Sequence, residues 1–263
     1  MGVINVKLED MNYENVVAIC PSCNHRNVYN RATDLMDQSI ISYGLVKCQN
    51  INCGQDLNLI GDIVNPPYEL LILDCTQLIE ERKYAYCILN LTQSFEMFFA
   101  LFLRVEIVFK PYAEENWNNP FNFNKALANL EKYTKNVTFN DMRSLFLNYI
   151  ILTKVLMKRN ATSLFESEII LNQLKKNSPS KDVLQSIEDD KLSNLLINLQ
   201  SCEINSIRNN VVHKRGYRPS LATVEKALNE TQGLIYGLNS CLAPLIDKPI
   251  FYKIMKSKSV TFS

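Results

Sequence analysis

Ile204-Asn205-Ser206-Ile207-Arg208-Asn209-Asn210-Val211-Val212-His213-Lys214-Arg215-Gly216-Tyr217-Arg218-Pro219 is the stretch that decides how this chain is read. At ~100° per residue, Ile204, Ile207 and Val211 fall on the edge of a helix that faces a core. Asn205, Asn209 and His213 follow at i, i+4 and i+8 and share one polar stripe. Arg208 lies between Ile204 and Val212 on the rim of the apolar face. A permanent charge there wants a carboxylate or a phosphate as partner. The helix covers residues 202–214 and stops before Gly216 and Pro219. Ser220 is a good N-cap for one more long helix, whose apolar face carries Leu221, Val224, Leu228, Ile235, Leu238 and Leu242.

Working back from this stretch, the helical period holds to residue 68 or so. One long element over Leu78–Phe109 is predicted to stop before Pro111, with a loop over 112–121. Further helices are predicted over 123–134, 141–158, 161–175 and 181–200, with Asn177-Ser178-Pro179-Ser180 between the last two. Residues 1–65 read differently. Val3–Leu8 alternates, Val16–Ile19 runs into Cys20, Ile40–Val46 runs toward Cys48, and Leu57–Ile60 follows Cys53; these are strand-type runs between turn-type clusters. Asn65-Pro66-Pro67 marks the change of period. The expectation is a mainly α chain: a β-rich metal-binding module over 1–66, a helical bundle over 67–248 and a basic tail over 249–263.

Composition narrows the function classes. Of 263 residues, 28 are Lys or Arg and 27 are Asp or Glu, a formal charge of +1. With 47% hydrophobic residues, neither a disordered chain nor a globally basic nucleic-acid coat fits. Only 7 glycines disfavour Gly-rich phosphate loops. The opening residues hold no basic region followed by an apolar run. The greasiest window, Ala85–Leu103, is interrupted by Asn90, Gln93 and Glu96. A cytoplasmic protein without a membrane span is expected.

Four of the 8 cysteines fall in two tight pairs, Cys20-Pro21-Ser22-Cys23 and Cys48-Gln49-Asn50-Ile51-Asn52-Cys53-Gly54. Cys75, Cys87, Cys202 and Cys241 are single residues in apolar helical context. Two such turns present four thiolates to one tetrahedral ion, which resembles a zinc ribbon with structural Zn²⁺ on Cys20, Cys23, Cys48 and Cys53. His25 is near enough to substitute for a ligand or to touch the site's surroundings. Gripping nucleic acid, gripping a protein and bracing the fold are all open to such a ribbon.

The Arg208–His213 set suits phosphodiester chemistry. A histidine moves protons near neutral pH, an arginine neutralises charge on phosphate oxygens, and an asparagine orients an oxygen. Lys214, Arg215 and Arg218 add a local positive field for nucleic acid. No cage of carboxylates accompanies the set, which points to metal-independent cleavage through the 2′-hydroxyl of RNA.

The run Ile207-Arg208-Asn209-Asn210-Val211-Val212-His213-Lys214, with Arg218-Pro219-Ser220 opening the last helix, resembles the HEPN superfamily (higher eukaryote and prokaryote nucleotide-binding domains). The resemblance covers about residues 70–245 and implies a helical bundle. It further implies a homodimer whose two Arg/His motifs meet in a composite cleft, and RNA cleaved in defence or toxin–antitoxin systems, with a regulatory or antitoxin partner. By the same resemblance His213 is the acid/base, Arg208 the phosphate stabiliser and Asn209 the polar helper. Glu96, a lone acid in Ser94–Phe99, is the candidate partner of Arg208, unless it points to solvent. One toxin subgroup carries a tyrosine two residues after the histidine; Arg215 stands there in this chain, so that subgroup's regulation does not carry over. Two other readings stay open. In one the module binds RNA, nucleotide or partner without catalysis. In the other His213 is a C-terminal helix cation beside a structural arginine. A zinc hydrolase is disfavoured, since two histidines far apart in sequence offer no open catalytic site.

Overall fold

Two β-hairpins precede ten α-helices in the computed structural model, which describes residues 15–30, 34, 45–58, 66–114 and 120–242. The expected strand at Val3–Leu8, the run 40–44 and the basic tail lie outside these residues. In the first hairpin, β1 (Asn15–Ile19) pairs antiparallel with β2 (Arg26–Asn30), Val17 opposite Val28. In the second, β3 (Leu45–Lys47) pairs antiparallel with β4 (Asp56–Asn58), Val46 opposite Leu57. The hairpins form separate two-stranded sheets. Their small core is Cys20, Cys48 and Leu57, with Val46 and Cys53 against it.

The helical body has its own, far larger core. Helix α1 (Pro67–Glu80) begins with a proline at its first turn, where the missing N–H costs nothing. The single helix expected from Leu78 to Phe109 is in fact broken. Arg82 adopts φ 57, and Lys83 N–H donates to Leu78 O at 2.7 Å, the reverse turn that ends a helix. Helix α2 (Tyr84–Arg104) then restarts. Nor does it stop before Pro111. A π-helical turn at Val105–Phe109 leads straight into α3 (Lys110–Glu114). The wider turn accommodates the donor that proline lacks.

Helix α2 is the spine of the bundle. Phe95, Phe98, Phe99 and Phe102 recur at helical spacing and are buried. They meet α5 (Phe139–Ile151), where Phe146 stands 4.8 Å from Phe102 and 5.0 Å from Phe99, centroid to centroid. Phe146→Ala is expected to cost about 3–5 kcal/mol, because a fully buried ring among three others leaves a cavity that rigid neighbours cannot fill. Urea unfolding measures it; a loss below about 1 kcal/mol would show the core to be loosely packed. By length and apolar composition the stretch Tyr84–Tyr112 could cross a membrane, yet 61% of that window is buried in the protein.

Helix α4 (Pro120–Thr134) precedes α5, which opens with a capping box between Thr138 and Asp141 and ends in a second π-helical turn, Leu152–Leu156. After α6 (Leu164–Gln173), the single helix expected over 181–200 divides into α7 (Lys181–Gln185) and α8 (Asp190–Ser201). Asp189 accepts from Leu192 N–H and caps α8, so the local capping bond outcompetes continuation. Helix α9 (Ile204–His213) packs on α2. Helix α10 (Leu221–Leu242) is capped as expected, Ser220 Oγ accepting from Thr223 N–H at 3.2 Å. It approaches α8 at Gly237, where a Cβ would sit 2.8 Å from a Leu195 methyl.

Candidate functional site

Cys20 follows β1 and Cys48 follows β3, so each sheet end delivers a thiol into a tight turn. Cys20 N–H donates to His25 O at 2.9 Å and Cys48 N–H to Gln55 O at 2.8 Å, closing the two hairpins. Each turn needs a left-handed residue. Gly54 supplies one at φ 55, and Asn24, the side chain that best tolerates it, supplies the other at φ 56.

The four sulfurs lie within 4.8 Å of one another and could hold a metal ion. Cys20 Sγ is 3.8 Å from Cys53 Sγ, and Cys23 Sγ is 3.7 Å from Cys48 Sγ. Tetrahedral thiolate coordination at ~2.3 Å sets sulfurs ~3.8 Å apart, so the donor set fits such an ion. A disulfide would need ~2.05 Å, and all four cysteines are free. Their acidities diverge. Burial acts to raise Cys20, but the Cys23 and Ser22 amides facing its sulfur leave it at about 7. Burial pushes Cys48 up. The Gln55 amide pulls Cys53 down, but the neighbouring sulfurs and burial outweigh it, and Cys53 stands at about 11. Four thiols so close cannot all ionise unless a cation sits among them. His25 is exposed and is not among the ligand atoms brought together.

The second constellation lies on α9. Ile204 is buried, Ile207 and Val211 are half-buried, and Arg208 is half-buried beside them. Packing of α9 on α2 brings Arg208 near Glu96. Burial pushes the Glu96 carboxyl above the usual carboxylate range, and the Arg208 charge pulls it back. Arg208→Ala should therefore raise the carboxyl's titration midpoint further, which NMR titration of Glu96 would follow; an unmoved midpoint would separate the two groups. Arg208 Nη1 also donates to Asn209 Oδ1 at 3.1 Å. His213 is exposed at the last turn, ~7.5 Å along the axis from Arg208. Lys214, Arg215 and Arg218 are exposed on the following loop, which turns at Gly216 with φ 80. Arg218 Nη1 donates to Tyr217 O at 2.8 Å.

Comparison of the chain with protein-family models, with curated proteins and with solved structures gives no match. The two constellations stand on their own geometry.

Sequence reasoning missed what seats α9. Arg143 Nη1 donates to Leu199 O and Cys202 O, both at 3.2 Å, at the end of α8. Its Nη2 donates to Asn140 Oδ1 at 3.1 Å, which also accepts from Asn205 Nδ2 at 3.3 Å. The polar stripe of α9 is thereby anchored at its first turn by α5. Also missed was the buried carboxylate of Glu106, which accepts from Lys110 Nζ and from Tyr149 Oη. The i,i+4 spacing of Glu106 and Lys110 was the available signal, while the other partner, Tyr149, comes from a distant helix.

Proposed function

We propose that this chain is a metal-independent endoribonuclease of the HEPN type, carrying a structural zinc ribbon. The observation that carries the reading is the set of side chains on α9: half-buried Arg208 near Glu96 and bonded to Asn209, with exposed His213 farther along. Such a set has the groups that RNA transesterification demands. The His213 imidazole takes the proton of a 2′-hydroxyl, and the freed oxygen bonds to the adjacent phosphorus. The bond from phosphorus to the 5′-oxygen breaks, and that oxygen takes a proton from a second imidazole. In a homodimer with a composite cleft, the second imidazole is the other copy's His213. Arg208 neutralises the charge that builds on the phosphoryl oxygens, and Lys214, Arg215 and Arg218 hold the flanking backbone. Products are a 2′,3′-cyclic phosphate and a 5′-hydroxyl.

The ion is read as Zn²⁺ because four soft thiolates at tetrahedral spacing suit it, and a closed four-sulfur shell braces structure rather than catalysing. When bound, the ion supplies the charge that lets Cys20, Cys23, Cys48 and Cys53 ionise together.

The test is cleavage of total RNA and of one pure tRNA by purified protein in EDTA, with metal content checked afterwards. Cyclic phosphate ends are the expected product. Tight RNA binding without cleavage, under every condition and in a verified dimer, would replace this reading with that of a binding module. Light scattering checks the dimer, and a monodisperse monomer at micromolar concentration would remove the composite cleft.

A further inference from the structure

Residues 20–24 and 50–54 trace the same turn. In each, the fifth residue's N–H donates to the first residue's carbonyl, Asn24 to Cys20 at 2.9 Å and Gly54 to Asn50 at 3.1 Å. In each, the fifth residue is left-handed. Cysteine takes the first and fourth places in 20–24, but only the fourth in 50–54, where Asn50 stands first. The missing ligand sits farther back, at Cys48, whose N–H closes the second hairpin as that of Cys20 closes the first. The second knuckle is thus the first with Gln49 and Asn50 inserted.

Both inserted side chains leave their own hairpin and reach the other. Gln49 pairs with the backbone of Val28 like a short strand: its Oε1 accepts from Val28 N–H at 2.9 Å and its Nε2 donates to Val28 O at 2.7 Å. Gln49 N–H donates to Oδ1 of the fully buried Asn27 at 2.6 Å. Asn27 in turn donates to Ala18 O and His25 O inside the first hairpin. Asn50 Nδ2 donates to Cys23 Sγ at 3.6 Å, while its Oδ1 accepts from Asn52 N–H at 3.0 Å. Among the described residues the two sheets share no strand pair, and these bonds together with that of Tyr29 Oη to Lys47 O set one hairpin against the other. Cys23 is the exposed member of the four cysteines, and Asn50 aims its donor at that sulfur.

We propose that Gln49 and Asn50 are positioning residues of the metal centre. Gln49 latches the second knuckle onto the first, and Asn50 supports the charge of the Cys23 thiolate. The inference rests on reading the four cysteines as a metal site. Partners around a ligand shell orient the ligands, and their loss typically costs roughly 10–100-fold in metal affinity.

The experiment uses the full chain, loaded with Zn²⁺ or Co²⁺ and competed against a chelator of known affinity. Gln49→Ala and Asn50→Ala are each expected to weaken binding roughly tenfold to a hundredfold. Asn50→Asp separates the two roles of Asn50. Aspartate keeps the acceptor for Asn52 N–H but sets an anion against the Cys23 sulfur. It is expected to bind more weakly than Asn50→Ala and to shift the sulfur-to-Co²⁺ charge-transfer band. If Asn50→Asp binds as well as wild type, Asn50 only caps its turn and the proposed role falls. If Gln49→Ala binds as tightly as wild type, the latch falls. If the wild-type chain takes up neither ion, the metal reading fails and the latch with it, an outcome distinct from equal binding by wild type and variants.

Discussion

On the proposed ribonuclease reading, alanine in place of His213 is expected to slow RNA cleavage by roughly 10²–10⁴-fold, the usual contribution of a positioned acid/base group. Binding of RNA should survive, because Lys214, Arg215 and Arg218 stay in place on their exposed loop. The fold should survive too. His213 is exposed on the final turn of α9, so its removal opens no cavity and leaves no buried group without a partner. Arg208 differs, being half-buried against α2 with Glu96 beside it. Arg208→Lys keeps the charge but loses the planar fork, so it should retain some binding and little cleavage. Single-turnover cleavage under saturating protein reads both variants. Wild-type rates in a correctly folded His213→Ala protein would remove His213 from the chemistry.

Stripping a metal held by the four cysteines, or replacing Cys48 by serine, is expected to have the second large effect. Among the described residues the hairpin module has a small apolar cluster of Cys20, Cys48 and Leu57, and two of those three belong to the four cysteines that could hold a metal ion. Its cross-hairpin hydrogen bonds, at about 0.5–1.5 kcal/mol net each, cannot order so small a unit alone. Structural zinc contributes an apparent ~10–16 kcal/mol in comparable small domains, so its loss should unfold residues 15–58. The helical body has a separate core and should keep its helices. Limited proteolysis with circular dichroism distinguishes the two: rapid cutting within 15–58 against an unchanged helical signal. Protection of that region after complete metal removal would show the ribbon to be self-supporting.

The parts of this fold legible in sequence are those set by local chemistry. Paired cysteines at the ends of strand-type runs announce the two knuckles, and Ser220 before a 3/4-spaced apolar face announces α10. The chain misleads where a residue does what another usually does. Arg82 takes the left-handed position that a glycine normally marks, so the break between α1 and α2 is silent. Pro111 signals a stop, but a π-helical turn carries it. Strand β2 went unread because Arg26-Asn27-Val28-Tyr29-Asn30 contains two asparagines. The Asn27 amide is satisfied by Ala18, His25 and Gln49, and of these Ala18 and Gln49 are brought close by folding. The α9 stripe was legible as a pattern. Its seating was not, because Asn140 and Arg143 reach it from a helix far earlier in the chain.

The π-helical turn at Val105–Phe109 makes the rod from α2 to α3 sensitive to length in a way that substitution would not reveal. Loss of a single codon there would tighten the turn to ordinary α-helical closure, which takes up the missing residue and leaves the downstream helix facing nearly the same way. Pro111 would then sit inside a regular α-helix and face the i−4 carbonyl that its ring cannot tolerate, at a cost of about 3 kcal/mol or more. A deletion scan across 100–114 should therefore find this turn intolerant to indels, even at positions where conservative replacements pass unnoticed.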